Sequence, residues 1–269
     1  MKRVLVLGGI MAALATSAPA AAQTELGVTA GLFSSYVWRG LTLTSGPVLQ
    51  PDISLSFPLG AASLTVGGWG NVEIGGYDDA DDVTQGGGSS FNLSEVDPYA
   101  EVAFGLGKAS IALGGVAYLY TNDDTAPANS SVNTVEVYGS IGIDALLSPS
   151  ISVYYDLDKV KGLYIEGGVS HGIPLGATTL SLGATGGFSN NMDPDPDDVT
   201  NNFADNGFTH LDLHATVDFE AGPVSISPTL HFQINGDDAT KYKGDDTKIW
   251  GGVSISWGRG FGGKAHDDE

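Results

Sequence analysis

Phe208-Thr209-His210-Leu211-Asp212-Leu213-His214-Ala215-Thr216-Val217-Asp218-Phe219 alternates without a break. Leu211, Leu213, Ala215, Val217 and Phe219 share one face. His210, Asp212, His214, Thr216 and Asp218 share the other. Period two marks a strand with one apolar and one wet face. The run outlasts the five or six residues usual for soluble strands and reaches the nine to eleven a membrane strand needs.

Working outward, the same pattern predicts strands near 26–38, 48–57, 62–74, 95–106, 109–120, 134–145, 150–158, 162–173, 177–188, 208–220, 223–234 and 247–257. The connections sort by length. Tight turns fall at Pro58-Leu59-Gly60-Ala61, Gly107-Lys108, Leu147-Ser148-Pro149, Pro174-Leu175-Gly176 and Ala221-Gly222-Pro223. Longer polar loops occupy 39–47, 75–94, 121–133, 189–207 and 235–246, with a short exception at 159–161. Short turns at one end and long loops at the other predict an all-β, transmembrane, antiparallel up-and-down barrel of about twelve strands, ten to fourteen being compatible with the pattern. Twelve strands put both termini on the short-turn, periplasmic side.

Composition agrees. Charged residues are only 16% of 269, below the roughly 25% of a soluble domain. Past residue 22 no apolar run is long enough for a spanning helix, and a closed barrel is the other structure that satisfies its backbone in lipid. There is no Cys, which excludes disulfides and thiolate chemistry.

Lys2 and Arg3, then an apolar stretch from Val4 to Ala15, then Ala18-Pro19-Ala20-Ala21-Ala22 read as a secretory signal peptide over 1–22. Residues 23–257 are then the barrel and 258–269 a flexible periplasmic tail. Losing two of the 11 basic residues against 32 acidic ones takes the net charge from −21 to −23. Without a basic stripe, nucleic acid is excluded as a partner.

The outward set is apolar: Ile53, Leu55, Phe57, Val135, Val137, Ile141, Ile143, Val224, Ile226, Leu230 and Phe232. Tyr36, Trp38, Phe104, Tyr155, Phe188 and Trp257 near strand ends suit the headgroup level. The last strand, Ile249-x-Gly251-x-Val253-x-Ile255-x-Trp257, resembles the segment recognised by the outer-membrane assembly machinery, although twelve residues follow it.

Ser34-Ser35-Tyr36-Val37-Trp38-Arg39-Gly40, the stretch Leu41 to Gly46, and Pro47-Val48-Leu49-Gln50-Pro51 resemble the first hairpin of the TorF-type family of bacterial outer-membrane porins. Glu95-Val96-Asp97-Pro98-Tyr99, Thr134-Val135-Glu136-Val137-Tyr138 and Leu163-Tyr164-Ile165-Glu166-Gly167 are further echoes. The resemblance spans 26–257 loosely. It implies a passive pore and supplies neither catalytic residues nor a ligand.

With the polar face inward, the lumen is rich in carboxylates: Asp52, Glu73, Glu95, Asp97, Glu101, Glu136, Asp144, Asp156, Asp158, Glu166, Asp212, Asp218 and Glu220, against Arg39 and Lys248. A wall of one sign concentrates counter-ions, so the expectation is a cation-preferring channel for small solutes. The alternative is a non-conducting structural or surface-interaction barrel whose acidic loops bind divalent cations or partners. The run Asp193, Asp195, Asp197 is a candidate Ca²⁺ site, weakened by two prolines and no turn glycine. His210 and His214 flank Asp212, and folding about Gly222 brings His231 opposite Asp212 or His214, a candidate transition-metal set.

No nucleophile elbow, zinc-protease motif or phosphate loop appears, and Ser170-His171 face opposite sides, so no enzyme is expected. The expected partners are outer-membrane lipid and lipopolysaccharide, small solutes or cations, and periplasmic chaperones and the barrel-assembly machinery during biogenesis. The expected location is the outer membrane of a Gram-negative bacterium.

Overall fold

In the computed structural model, which describes residues 23–75, 90–121, 133–190, 206–236 and 246–261, alternation becomes a closed wall. The wall strands are β1 (Thr24–Phe33), β4 (Val48–Leu59), β5 (Ala62–Glu73), β6 (Asn92–Leu106), β7 (Ala109–Tyr120), β8 (Thr134–Ile143), β9 (Ser150–Asp156), β10 (Leu163–Leu175), β11 (Thr178–Asn190), β12 (Gly207–Ala221), β13 (Val224–Asn235) and β14 (Thr247–Phe261). Each pairs antiparallel with its neighbours, and β1 closes the circuit on β14 from Thr24↔Phe261 to Phe33↔Gly252. Two short strands, β2 (Tyr36–Trp38) and β3 (Leu41–Thr44), form a separate hairpin outside the wall ladder. The signal segment 1–22 lies outside the described residues.

The turn end is built repetitively. Gly60 (φ 66°) and Gly107 (φ 63°) each take the first central position of a two-residue turn, between Leu59↔Ala62 and Leu106↔Ala109. That is the glycine-first turn whose twist matches the flanking strands. The turns at Gly176-Ala177 and Gly222-Pro223 repeat the arrangement.

The outer face is apolar as the alternation requires. Ile53, Leu55, Leu113, Ile141, Ile151, Leu213, Leu230 and Ile255 are exposed, along with Phe104, Tyr155 and Phe188. A tilted strand of ten residues spans roughly the 25 Å apolar band of such barrels. The buried apolar cluster lies inside instead, where Phe33, Tyr36, Val37, Leu41, Leu43, Trp69, Tyr138, Tyr154, Tyr164 and Trp250 meet.

The interior is divided. Toward the turns it is lined by small hydroxylated residues such as Ser56, Thr65, Ser140, Ser152, Ser225 and Ser227. Opposed hydroxyls pair across neighbouring strands at Thr29–Ser256 (3.0 Å), Ser56–Thr65 (2.9 Å) and Thr216–Thr229 (2.9 Å). Such pairs each add a few tenths of a kcal/mol, about 0.2–1, to the ladder. Toward the loops the interior is filled by aromatic rings and carboxylates.

Three expectations change. The first strand does not run to residue 38; it ends at Phe33, and Tyr36 and Trp38 lie inside the barrel rather than at the headgroup level. Asp144 and Asp158 are not on the lumen wall, because β8 and β9 stop at Ile143 and Asp156 and leave both exposed in connections. Finally, β14 continues to Phe261, so Gly258–Phe261 is strand rather than tail.

Candidate functional site

The site grows from the point where the chain leaves the wall. At Ser34 the backbone stays tied to β14: its N–H donates to the Gly251 carbonyl (2.9 Å), and Gly251 N–H donates to Ser34 Oγ (3.2 Å). Phe33 sets its ring edge-on to Trp250 beside it. The chain then turns inward as β2, reverses, and returns as β3. It rejoins the wall at Pro47, whose carbonyl accepts from Ile74 N–H (3.1 Å).

The reversal is a two-residue turn, Arg39-Gly40, between Trp38↔Leu41. Both central residues have positive φ, 50° and 93°, the φ pattern of a type I′ turn. Gly40 suits that backbone and also lets the tip approach β12, since a Cβ there would sit 2.9 Å from His210 Cβ. Arginine does not suit it: a left-handed, non-glycine residue costs about 1 kcal/mol or more and calls for a compensating contact.

Arg39 has that contact. Its Nη1 and Nη2 donate to Glu136 Oε1 and Oε2 on β8, both at 2.7 Å. The guanidinium lies 4.4, 4.5 and 4.3 Å from the ring centroids of Trp38, Tyr154 and Tyr164. Tyr118 Oη donates to Glu136 Oε2 (2.9 Å), and Trp38 packs edge-on against Tyr118. Side-chain exposure is 6% for Arg39 and 4% for Glu136, so the pair is shielded from water. Bidentate geometry and three aromatic faces make this a strong, oriented interaction across the lumen.

Other contacts fix the hairpin along its length. Gln233 Nε2 donates to the Gly40 carbonyl (2.9 Å), Thr44 Oγ1 donates to Glu73 Oε1 (3.1 Å), and Tyr36 packs on Trp69. Glu95 and Asp97 are buried close to Tyr36. The hairpin thus occupies the loop-side half of the lumen.

The remaining carboxylates divide by use. Asp156 accepts from Thr134 Oγ1 (2.6 Å) and from the backbone N–H of Asp158 (3.0 Å) and Val160 (2.9 Å), so it braces the short connection after β9. Asp52 accepts from Tyr99 Oη (3.1 Å), Glu101 from Tyr138 Oη (3.0 Å) and Asp218 from Ser227 Oγ (2.7 Å). Glu166 accepts from Tyr164 Oη at 3.4 Å. His214 faces His231 across β12 and β13, and both approach Asp212. The acidic run Asp193, Asp195, Asp197 lies outside the described residues. Ser170 and His171 lie on opposite faces of β10, with His171 exposed beside the Leu146 carbonyl.

Sequence reasoning missed Tyr118, Tyr154, Tyr164 and Gln233, which hold the hairpin. A signal existed: Tyr154 stands two residues from Asp156 and Tyr164 two from Glu166, each on the wet face of its strand.

A family model described as a bacterial protein of unknown function (Gcw_chp) matches residues 17–244. It includes the 34–51 stretch on which the TorF-type resemblance rests, without carrying that name. The comparison with curated proteins gives no match. Among solved structures, the chain is similar to an outer membrane channel from Pseudomonas putida F1, with a TM-score of 0.54 at 10% identity over 88% of this chain and 96% of that one. LpxR from Salmonella typhimurium gives a TM-score of 0.49 at 9% identity, over 87% and 99% of the two chains. The NanC porin gives 0.46 at 12% identity, over 86% and 98%. At such identities the first of these likenesses is one of fold, and the other two carry no argument.

Proposed function

The chain belongs to the Gcw_chp family of bacterial proteins of unknown function, and we propose that it is a Gram-negative outer-membrane barrel acting as a gated, cation-preferring pore for small solutes. The apolar outer face suits lipid and lipopolysaccharide, with signal-directed export and assembly through periplasmic chaperones and the barrel-assembly machinery. The observation that carries the reading is the lumen itself. Asp52, Glu101 and Asp218 line it with hydrogen bonds to hydroxyls rather than to bases, while Arg39 is held by Glu136. Carboxylates in a confined, low-dielectric passage raise the local cation concentration and repel anions.

In this reading the inward hairpin gates the pore rather than leaving it freely open. It also supports a second reading, a non-conducting barrel whose interior is filled for stability. Single-channel recording of the purified, refolded protein in a planar bilayer under a KCl gradient separates the two. Discrete openings with a reversal potential favouring K⁺ are expected. A protein that is barrel-folded by heat-modifiable gel shift, yet silent with the hairpin both present and removed, would leave only the second reading.

A further inference from the structure

His214 and His231 are direct cross-strand neighbours, and Asp212 lies two residues from His214 on the same inward face. Positions two apart on a strand are separated by about 6.8 Å, too far for one strand to chelate alone. The second strand closes that gap. Nδ1 of His214 and Nδ1 of His231 lie 3.1 and 2.8 Å from one and the same oxygen, Asp212 Oδ2. The three residues offer one donor atom each, all within 4.8 Å of one another.

A single carboxylate oxygen has two lone pairs and can face both imidazoles. Here both converge on Oδ2, while Oδ1 is buried without a hydrogen-bond partner. A buried acceptor without a partner calls for a water or an ion, and two imidazole nitrogens converging on the same carboxylate favour the ion. The rings are also held in place from behind. His231 stacks flat on Trp250, with centroids 3.8 Å apart and planes 6° from parallel, and its Nε2 lies 3.3 Å from Thr229 Oγ1. His214 lies over Gly183 on β11, where a Cβ would collide with its Nε2. Such support fixes ring orientation before an ion arrives.

We infer that Asp212, His214 and His231 form a lumen site for a divalent first-row transition-metal ion. Two imidazoles and one carboxylate suit Cu²⁺, Zn²⁺ or Ni²⁺, whereas Ca²⁺ and Mg²⁺ prefer oxygen alone. Ligands about 2.1 Å from a metal stand about 3.0 Å apart at right angles and about 3.4 Å apart in a tetrahedron, so the two observed spacings lie closer to the tetragonal arrangement of Cu²⁺ or Ni²⁺. Three protein ligands leave coordination positions for water or a solute donor. The site stands whether or not the barrel conducts.

The test is titration of the refolded protein with Cu²⁺ and, separately, Zn²⁺ by calorimetry, with electron paramagnetic resonance at one equivalent of Cu²⁺. One ion per chain is expected, with a hyperfine pattern from two equatorial imidazole nitrogens. Asp212→Asn, His214→Gln and His231→Gln should each weaken binding by at least about 100-fold, and His171→Gln should leave it unchanged. Folding of each variant is read by heat-modifiable gel shift. The spectrum of the unsubstituted protein decides the question even where a variant does not fold. Absence of stoichiometric binding, a spectrum with fewer than two nitrogens, or undiminished affinity in a folded His214→Gln/His231→Gln double variant would overturn the site.

Discussion

At the scale of single residues, Arg39 combines an unfavourable backbone with a favourable side chain. Its φ of 50° costs stability in the turn, and the bidentate pair with Glu136 offsets it. Breaking a buried pair from one side leaves a charge without compensation, at about 3–5 kcal/mol. Glu136→Gln should therefore cost about 3 kcal/mol or release the hairpin tip, read as a lower denaturation midpoint or as more frequent channel opening. Arg39→Asn makes the complementary change, because asparagine tolerates a positive φ while losing the latch. It relieves the turn but leaves Glu136 buried without its cation and removes the three ring contacts, so it should also cost about 3 kcal/mol and free the hairpin tip. Gly40→Ala tests the approach itself, since the added methyl meets His210 and the backbone keeps its positive φ. A loss of about 1–3 kcal/mol is expected, measured by urea unfolding in detergent. Arg39 was legible in the sequence as a charge near the lumen. Its partner was not, because Glu136 lies 97 residues away and the pair exists only once the chain turns inward at Ser34.

At the scale of elements, the wall was legible because alternation reports a face directly, and twelve strands with tight turns follow from it. The hairpin was not, because Tyr36-Val37-Trp38 and Leu41-Thr42-Leu43-Thr44 carry strand-forming residues that read equally well as the end of one wall strand and the loop after it. What decides is tertiary: both sides of the hairpin are buried, as no lipid-facing strand permits. The ladder between β1 and β4 runs from Glu25↔Ser56 to Phe33↔Val48 without any contribution from the hairpin. Replacing 35–45 by a short Gly-Ser turn should therefore leave a closed, heat-modifiable barrel while raising single-channel conductance. An unfolded product would show instead that the hairpin is needed to support the wall. The outer face makes its own prediction. Leu213 is exposed near the middle of β12, and Leu213→Arg should cost about 2–4 kcal/mol in a bilayer if that face meets lipid.

Over the whole molecule, the interior divides into a loop-side half filled by the hairpin and a turn-side half lined by hydroxyls, and the proposed cation preference would rest on carboxylates that do not hold the hairpin. Three loop-side carboxylates are engaged: Glu136 with Arg39, Asp156 with the connection after β9, Glu73 with the hairpin. They hold structure, and neutralising them confuses selectivity with stability. Glu101 and Asp218 each accept one bond from a hydroxyl side chain, and Asp52 takes the Tyr99 hydroxyl across both its oxygens, so none of the three is paired with a base. In a conducting barrel these three carboxylates would act together, because a lumen bounded by protein and lipid screens them less than an open surface would at a Debye length of about 8 Å. The combined variant Asp52→Asn/Glu101→Gln/Asp218→Asn should keep its heat-modifiable fold and the Arg39 latch. Its reversal potential under a KCl gradient should move toward zero, with conductance falling most at low salt, where fixed charge matters most. An unchanged reversal potential in a folded, conducting variant would place the selecting charge in the hairpin region, and recording the same substitutions without residues 35–45 would then locate it.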